Sequence, residues 1–193
     1  MKNPKKLITI VGAVVLLIAI IVFVVLPQFL SEKGHELLPY NLSFGMSHKE
    51  AKSTCKGFPA ISQSYDGYFS DSFEPKPKDY YKRFGIDPDI LAQKTYVPSN
   101  VNTKYYFSFN EHKKLSAFSV ITQAANEESA AQYLYDRYAD YLTAYFGQYT
   151  NRLVSGISFQ DDTLRANLEI KTERTAVPVY IVHLTVFSLE YTD

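Results

Sequence analysis

The side chains that could do chemistry are scattered along the chain rather than gathered in a catalytic motif. The histidines are His35, His48, His112 and His183. None of them belongs to an H-E-x-x-H motif, and the single cysteine, Cys55, has no cysteine or histidine at the spacing of a zinc site. The sequence also lacks a G-x-S-x-G motif and a phosphate-binding glycine-rich loop. These observations predict a protein that is not an enzyme and has no catalytic residues, no bound metal and no cofactor.

Two features keep an enzyme open as the alternative. His183 lies in a predicted strand beside Ile181 and Thr185, where a histidine is commonly a hydrogen-bonded sheet residue but can also act as a general base. Asp161 and Asp162 are adjacent carboxylates, which suit either a hairpin turn or acid–base catalysis. The alternative function is therefore an extracytoplasmic small-ligand sensor or an envelope-associated hydrolase that uses His183 or the two aspartates.

Charge and cysteine content argue against nucleic-acid-binding proteins and disulfide-stapled scaffolds. The chain has 20 basic and 20 acidic side chains, and three of the basic ones are lysines that precede residue 7. The rest of the chain is therefore slightly acidic, whereas a nucleic-acid partner requires a basic face. One cysteine cannot form an internal disulfide, so Cys55 is either a small buried side chain on a helix or a thiol available for intermolecular chemistry.

Residues 7–26 form a continuous apolar run without a charged side chain. A helix of this length spans about 30 Å, the thickness of a bilayer hydrocarbon core, so the run predicts a transmembrane helix. Lys2, Lys5 and Lys6 precede it, and the positive-inside rule then places the N-terminus in the cytoplasm. A cleaved signal peptide is the alternative, but the run is long for one and no small-residue cleavage site follows it. We expect a single-pass protein of a plasma membrane, consistent with a bacterial envelope, with its C-terminal part outside.

This anchor divides the chain into three predicted parts. Residues 1–30 are the cytoplasmic tip and the anchor, residues 31–41 are a juxtamembrane spacer, and residues 42–193 are an extracytoplasmic domain. The domain is large enough to build a hydrophobic core. Within it, residues 70–103 contain four prolines and many polar side chains, which predicts mostly loop with one short helix that has Pro88 in its first turn.

Basic and aromatic side chains alternate in the first part of this loop. Such a segment is either a solvated, loosely packed loop or a contact surface for an anionic partner. Lipid headgroups, an acidic wall polymer and an acidic protein all fit that description. The candidate binding residues are Lys76, Lys78, Tyr80, Tyr81, Lys82, Arg83 and Phe84.

Periodicity predicts the helices and strands of the domain. Ser47 and Glu50 have the spacing of a capping box that starts a short helix, and residues 127–146 carry the apolar stripe of a longer helix with Asn126 as its N-cap. Alternating apolar residues predict strands at residues 61–69, 104–110, 115–122, 153–159, 164–171 and 179–189. The expected fold class is α+β, with an N-terminal transmembrane helix followed by an antiparallel sheet on which one short and one long helix pack.

The start of the first helix reads Phe44-Gly45-Met46-Ser47-His48-Lys49-Glu50-Ala51. This segment resembles the G-M-[ST]-x-x-E pattern of β-lactamase-inhibitor-protein-like domains and of the related small lipoprotein of the outer-membrane assembly machinery. The hairpin predicted at residues 105–118 is also similar to that architecture, so the likeness covers about residues 42–122. Two departures are Phe58 inserted between Gly57 and Pro59, and the absence of a lipid-bearing cysteine. Such domains mostly bind proteins or act as scaffolds, which the resemblance implies here.

These features together predict a membrane-anchored, non-catalytic protein-interaction or accessory module outside the cytoplasm. The expected partners are the membrane, through residues 7–26, and another envelope or membrane protein, but not nucleic acid. A third hypothesis is a purely structural subunit whose anchor helix packs against another membrane protein. The anchor has no G-x-x-x-G motif to favour that pairing.

Overall fold

The structure, a computed structural model, describes residues 37–54, 61–65, 68–73 and 84–192, and it describes residues 61–65 and 68–73 by their backbone only. These residues form an eight-stranded antiparallel sheet with a long helix packed on one face. The α+β architecture predicted from the sequence is therefore confirmed.

The elements have the following bounds within the described residues. The helices are α1 (His48–Thr54), α2 (Pro88–Gln93) and α3 (Glu128–Phe146), with a 3₁₀ turn at Pro98–Asn100. The strands are β1 (Ile61–Tyr65), β2 (Tyr68–Phe73), β3 (Val101–Phe109), β4 (Leu115–Ala125), β5 (Asn151–Leu153), β6 (Gly156–Gln160), β7 (Leu164–Glu173) and β8 (Val179–Ser188). Their order across the sheet is β1-β2-β3-β4-β8-β7-β6-β5, and every neighbouring pair is antiparallel.

Strand β8 lies in the middle of the sheet, between β4 and β7. Its sequence is apolar on both faces, which suits either a long central strand or a strand covered on both faces, and the structure shows the central strand. Val182, Leu184 and Val186 are fully buried in the core, whereas the residues that alternate with them are half-buried on the opposite face. The sheet therefore has a core face, on which α3 packs, and an open face, as is common for antiparallel sheets.

Helix α3 packs on the core face through the stripe that the sequence predicts. Its fully buried residues are Ala130, Ala131, Leu134, Tyr138 and Leu142. The predicted cap is wrong, because Asn126 has a φ of 58° and the helix begins at Glu128 with Glu127 as its N-cap. An N-cap side chain needs an extended backbone to reach the first helical N–H groups, and Asn126 instead turns the chain out of β4.

Helix α1 begins with the predicted capping box. The Ser47 N–H donates to Glu50 Oε2 over 2.8 Å, and the Glu50 N–H donates to Ser47 Oγ over 3.3 Å. The Ser47 hydroxyl also donates to the same carboxylate over 2.7 Å. These hydrogen bonds from Ser47 favour the ionised carboxylate and lower the pKa of Glu50. The capping-box prediction is thus confirmed.

The segment predicted as a long loop contains regular structure at both ends. Strands β1 and β2 form a hairpin where the sequence predicts one strand, and β2 continues to Phe73. Helix α2 begins as predicted, with Pro88 in its first turn and the Asp87 carboxylate accepting the Asp89 N–H over 2.8 Å. Strand β3 already starts at Val101, and residues 74–83 lie outside the described residues.

The end of the predicted juxtamembrane spacer packs into the domain. Leu37 and Leu38 are completely buried members of the core, and Leu42 follows them. The ring of Tyr40 lies 6.2 Å from the ring of Tyr105, centroid to centroid. Residues 37–41 therefore belong to the packed domain, because two adjacent leucines gain more from burial than from serving as a solvated spacer.

The C-terminal segment closes against the start of α1. Gly45 has a φ of 82°, and a Cβ at this position would come within 2.5 Å of the Tyr191 ring. The backbone carbonyl of Tyr191 accepts a hydrogen bond from Asn110 Nδ2 over 3.1 Å. Glycine is thus required at residue 45 both by backbone conformation and by the approach of the ring.

The membrane prediction requires correction. None of the helices in the described ranges is both long and apolar enough to cross a bilayer. Helix α3 has nearly the required length, about 28 Å, but it carries charged side chains, including Asp136 and Arg137, that lipid would exclude. The predicted span, residues 7–26, lies outside the described residues. The N-terminal transmembrane helix and the single-pass plasma-membrane localisation therefore find no support in the described part of the chain.

Candidate functional site

The structure describes one residue of the predicted contact loop. Six of them lie outside the described residues: Lys76, Lys78, Tyr80, Tyr81, Lys82 and Arg83. Phe84 is described and buried, and its ring packs edge-on against Tyr138 and Tyr141 at centroid distances of 4.8 and 5.4 Å. Phe84 is thus a core residue and not part of an exposed surface, because its ring gains more from burial against α3 than from exposure.

The two alternative candidates for an enzyme site, His183 and the Asp161–Asp162 pair, lie at different places on the sheet. Asp161 Oδ1 accepts hydrogen bonds from the backbone N–H groups of Thr163 and Leu164 at 2.7 and 2.8 Å, which makes it a turn residue between β6 and β7. His183 pairs with Glu169, five residues along β7 from Leu164, so the two places are roughly 17 Å apart. In the described part of the chain, no three metal-ligating side chains form a cluster.

His183 lies on the open face in a hydrogen-bonded row. Its Nε2 is 2.8 Å from Thr185 Oγ1, and that hydroxyl accepts a hydrogen bond from Ser119 Oγ over 3.1 Å. The three side chains come from β4 and β8 and point to the same face. The arrangement satisfies the hydroxyl groups of the sheet surface, and it also places a hydroxyl beside an imidazole.

Burial and neighbouring charges shift the pKa values of His183 and of Glu169, which faces it from β7. Burial lowers the pKa of His183, Glu169 opposes that shift, and Lys171 adds to it, with a net lowering. Burial would raise the pKa of Glu169, but hydrogen bonds from Lys171 (3.1 Å) and Ser155 (2.9 Å) outweigh it and the pKa is lowered. His183 is therefore neutral and Glu169 ionised near neutral pH.

A cleft of about 430 Å³ lies between the end of α2 and the N-terminal half of α3. We call it the α2–α3 cleft. Its walls are polar, and α3 supplies most of them because residues spaced by three and four positions share a face of a helix. The lining residues are Lys94, Glu128, Ser129, Gln132, Tyr133, Asp136 and Arg137.

Tyr133 joins the two walls of the cleft. Its hydroxyl oxygen accepts a hydrogen bond from the backbone N–H of Asp87 over 3.1 Å, which ties the start of α2 to α3. Two cations face its ring: Lys94 Nζ is 5.9 Å and the guanidinium carbon of Arg137 is 6.0 Å from the centroid. Both lie at the outer limit of a cation–π interaction. The Tyr133 ring therefore has a lysine and an arginine as neighbours in the wall of the cleft.

The acidic side chains of the cleft already have hydrogen-bond donors from this chain. Gln132 Nε2 donates to Asp136 Oδ1 over 2.9 Å, and the Tyr180 hydroxyl donates to Glu128 Oε2 over 3.3 Å. These bonds occupy part of the acceptor capacity of both carboxylates.

The donors of the cleft are less well satisfied. Within the described ranges, the Lys94 ammonium has no carboxylate at ion-pair distance. Arg137 pairs with Asp140 through Nη2, but its Nε is buried and has no acceptor in the described part of the structure. The cleft thus contains Lys94, an exposed cation without an ion pair among the described residues, and Arg137, whose charge is already paired with Asp140.

Beside the cleft, a buried carboxylate fixes the segment that follows α2. Glu127 is almost completely buried, and its two oxygens accept the backbone N–H groups of Tyr96 (2.9 Å) and Val97 (2.7 Å). The Tyr96 side chain itself is 89% exposed. We call these two hydrogen bonds the Glu127 clamp. They hold the backbone of Tyr96 and Val97 in place while the aromatic ring of Tyr96 remains in solvent.

Exposed apolar side chains collect at this end of the molecule. Tyr96 and Val97 are held by Glu127, and the neighbouring Asn126 N–H donates to the carbonyl of Pro178 over 2.8 Å, next to the exposed Val177. We call Tyr96, Val97 and Val177 the Tyr96 rim. Aromatic residues are enriched at protein interfaces, so the exposed Tyr96 on its fixed backbone is the residue of this rim that best suits protein recognition.

Sequence reasoning missed the cleft and the rim. The cleft exists only because α2 folds back on α3, and no periodicity reports that contact. One available signal was Tyr96-Val97 directly before Pro98, an apolar pair in a polar segment without strand alternation.

Comparison of the chain with protein-family models, curated proteins and solved structures finds no match.

Proposed function

We propose that this chain is a non-catalytic protein-interaction module and that the α2–α3 cleft with the Tyr96 rim is its contact surface. The observation that carries the proposal is the Glu127 clamp, which buries a carboxylate to fix the backbone beneath a solvent-exposed tyrosine. The packing of the described residues does not require Tyr96 to be aromatic, because this residue is 89% exposed.

The physical argument is one of preorganisation. A tyrosine on a fixed backbone loses little conformational entropy on binding and supplies a large amphipathic contact area. Tyrosine is also enriched among the residues that dominate binding energy in protein interfaces. The resemblance of residues 42–122 to extracytoplasmic domains that mostly bind proteins or act as scaffolds supports the same class of function.

A co-purification experiment tests the proposal. The full chain and its Tyr96→Ser variant are recovered from native cells, and a protein enriched with the unaltered chain is then rebound in purified form. The matched control is Tyr149→Ser, because Tyr149 is an exposed tyrosine in the loop after α3, outside the Tyr96 rim. We expect Tyr96→Ser to weaken rebinding about tenfold or more and Tyr149→Ser to leave it unchanged. Equal rebinding by both variants would remove the Tyr96 rim from the proposed surface.

A small-ligand sensor or hydrolase is the second candidate, and one observation favours it. The neutral His183 imidazole lies 2.8 Å from the Thr185 hydroxyl, as a general base and a nucleophile would. Assay of the full chain with p-nitrophenyl acetate tests the hydrolase. Turnover that is lost in His183→Gln at unchanged stability would support it, whereas turnover no faster than that of the variant would exclude this pair.

A further inference from the structure

We propose that the open face of the sheet binds a neutral polysaccharide, which lies across the strands along a row of uncharged polar side chains. This surface is separate from the α2–α3 cleft, so the proposal goes beyond the protein-interaction function. The described helices bury their apolar residues in the core on the opposite face.

The strand register places one uncharged polar residue of each of six neighbouring strands at the same level of the open face. From β3 to β5 these residues are Tyr106, Ser119, Thr185, Asn167, Ser158 and Asn151. We call them the cross-sheet row. Because residues directly opposite each other share a face and strands lie about 4.8 Å apart, the row is about 24 Å long. A ligand that follows the whole row must therefore be an extended chain.

Strand β7 shows how the cross-sheet row differs from an ordinary solvated surface. Five residues of β7 lie on the open face, and four of them are charged: Arg165, Glu169, Lys171 and Glu173. Charged side chains are the common choice where a strand faces water. The fifth residue is the neutral Asn167, and it lies where the row crosses the strand. The charge pattern is thus interrupted at the row.

The side chains of the cross-sheet row leave both donors and acceptors unused. Ser119 Oγ donates to Thr185 Oγ1 over 3.1 Å, and Ser158 Oγ donates to Asn167 Oδ1 over 2.8 Å. Asn167 Nδ2 then keeps two N–H donors and Ser119 Oγ keeps its lone pairs, since neither atom has a further partner among the described residues. Within the same ranges, the Tyr106 hydroxyl has no hydrogen-bond partner either.

Hydroxyl groups match this combination of donors and acceptors. A hydroxyl both donates and accepts, so a ligand rich in hydroxyls can accept from Asn167 and donate to Ser119. A carboxylate offers only acceptors and an ammonium only donors, and each would leave part of the row unsatisfied. An extended peptide is the competing chain, but its backbone pairs with the edge of a sheet and not with side chains across a face. A neutral polysaccharide therefore fits the row best.

Two aromatic rings on the open face suit the apolar surface of a sugar ring. Tyr106 belongs to the row, and Phe187 lies two positions along β8 from Thr185. Both residues are half-buried and are held in central strands of the sheet. Stacking of a sugar on either ring would therefore cost little conformational entropy.

An array of neutral and acidic polysaccharides, probed with the purified full chain, tests the proposal. We expect binding to a neutral polysaccharide, and titration calorimetry with that polysaccharide then gives the affinity of each variant. Asn167→Asp keeps the shape of the side chain and the acceptor for Ser158 but removes the N–H donors, so it should weaken binding about tenfold or more. Asn102→Asp is the matched control, because Asn102 is an exposed asparagine on the same face of β3, outside the row.

A second variant guards against an indirect effect of Asn167→Asp on folding. Tyr106→Phe removes one hydroxyl and keeps the ring, so it should also lower the affinity for the polysaccharide at unchanged stability in urea. Tyr96→Ser should leave that affinity unchanged, because Tyr96 belongs to the separate Tyr96 rim.

Several results would overturn the proposal. One is the absence of binding to any polysaccharide, and another is binding to acidic polysaccharides alone, for which the row supplies no charge. Equal affinities of Asn167→Asp and Asn102→Asp would place the ligand away from the row. A co-purified protein lost in Asn167→Asp, without any polysaccharide bound by the unaltered chain, would assign the open face to a protein partner.

Discussion

At the residue scale, the proposed surface depends most on Glu127. A buried carboxylate is unfavourable unless it is hydrogen-bonded, and Glu127 meets that condition with the N–H groups of Tyr96 and Val97. Those N–H groups in turn need an acceptor, because the segment after α2 has no strand partner at this point. The Glu127 side chain therefore satisfies its own buried carboxylate and the two N–H groups together, and it fixes the backbone that carries the exposed Tyr96 ring.

We predict that Glu127→Ala lowers the free energy of unfolding by roughly 2–4 kcal/mol, because it leaves two N–H groups without their acceptor. The neighbouring Glu128→Ala should cost about 0.5 kcal/mol or less, since Glu128 is exposed and accepts only a long hydrogen bond. Urea unfolding of both variants measures the difference. Equal losses would show that the Glu127 clamp contributes no more than an ordinary surface carboxylate.

Gly45 and Gly85 form a natural pair for testing the packing of the C-terminal segment. Both have positive φ angles, 82° and 63°, but only a Cβ at residue 45 would meet the Tyr191 ring. Gly85→Ala should therefore cost about 1–2 kcal/mol from backbone strain alone, and Gly45→Ala a further 1–3 kcal/mol from overpacking. Thermal or urea unfolding gives both values. Similar losses in the two variants would mean that Tyr191 moves aside freely.

The protonation of His183 predicts a pH dependence of stability. Because the folded pKa of His183 lies below its ordinary value of 6.5, the unfolded chain takes up the proton first as the pH falls. Stability from this group is fully present above pH 6.5 and is lost as the pH falls from there toward the folded pKa. The slope for one proton is at most about 1.4 kcal/mol per pH unit.

The measurement is urea unfolding at several pH values, compared with His183→Gln. Glu169 and Lys171 face the histidine from β7, and Glu169 has a lowered pKa of its own, which acts at more acidic pH. The decline that starts near pH 6.5 should therefore disappear in His183→Gln, whereas a decline at lower pH should remain. An unchanged profile in the variant would assign the dependence to other groups.

At the element scale, periodicity explains which parts of the fold could be predicted. The stripe of α3 and the alternation of β7 and β8 arise from burial on one face, and burial is what the sequence records directly. The Ser47–Glu50 capping box can also be predicted from the sequence, because it needs only hydrogen bonds between residues three positions apart.

The features that the sequence predicts incorrectly depend on contacts between distant residues. Phe84 has the sequence context of an exposed loop, yet it packs on Tyr138 and Tyr141 of α3. The N-cap of α3 is Glu127 and not the predicted Asn126. Two contacts with distant residues act at this turn: the hydrogen bond from the Tyr96 N–H to Glu127, and the hydrogen bond from the Asn126 N–H to the carbonyl of Pro178. Local propensity carries no record of either contact.

The capping box provides a prediction for α1 as an element. Glu50→Gln keeps the shape of the side chain but removes its charge, so it should weaken the box and slightly lower the free energy of unfolding at pH 7. Because the folded pKa of Glu50 is lowered, this contribution is present above the ordinary value of 4.5 and is lost as the pH falls through the folded pKa. Urea unfolding at pH 7 and pH 3 tests both statements, and an equal loss at the two pH values would contradict them.

At the scale of the whole molecule, the sheet has one face covered by α3 and one open face. The proposed interaction surface, the α2–α3 cleft with the Tyr96 rim, lies on neither of these faces. It lies at the end of the sheet where β4 leaves, α3 begins and α2 packs back. Ends of this kind collect loops whose backbone must be fixed by side chains, and so they are where binding residues are commonly placed.

Site-specific photocrosslinking tests the central claim most directly. A p-benzoylphenylalanine in place of Tyr96 in the full chain should crosslink to a discrete partner protein in native cells, since that ring is 89% exposed on a fixed backbone. The same group in place of Tyr149 should not capture that partner, because Tyr149 is exposed in the loop after α3 and is not part of the Tyr96 rim. A partner captured at residue 96 alone is the result that we predict. No capture at residue 96, or the same protein captured at both positions, would contradict an interaction surface at the Tyr96 rim.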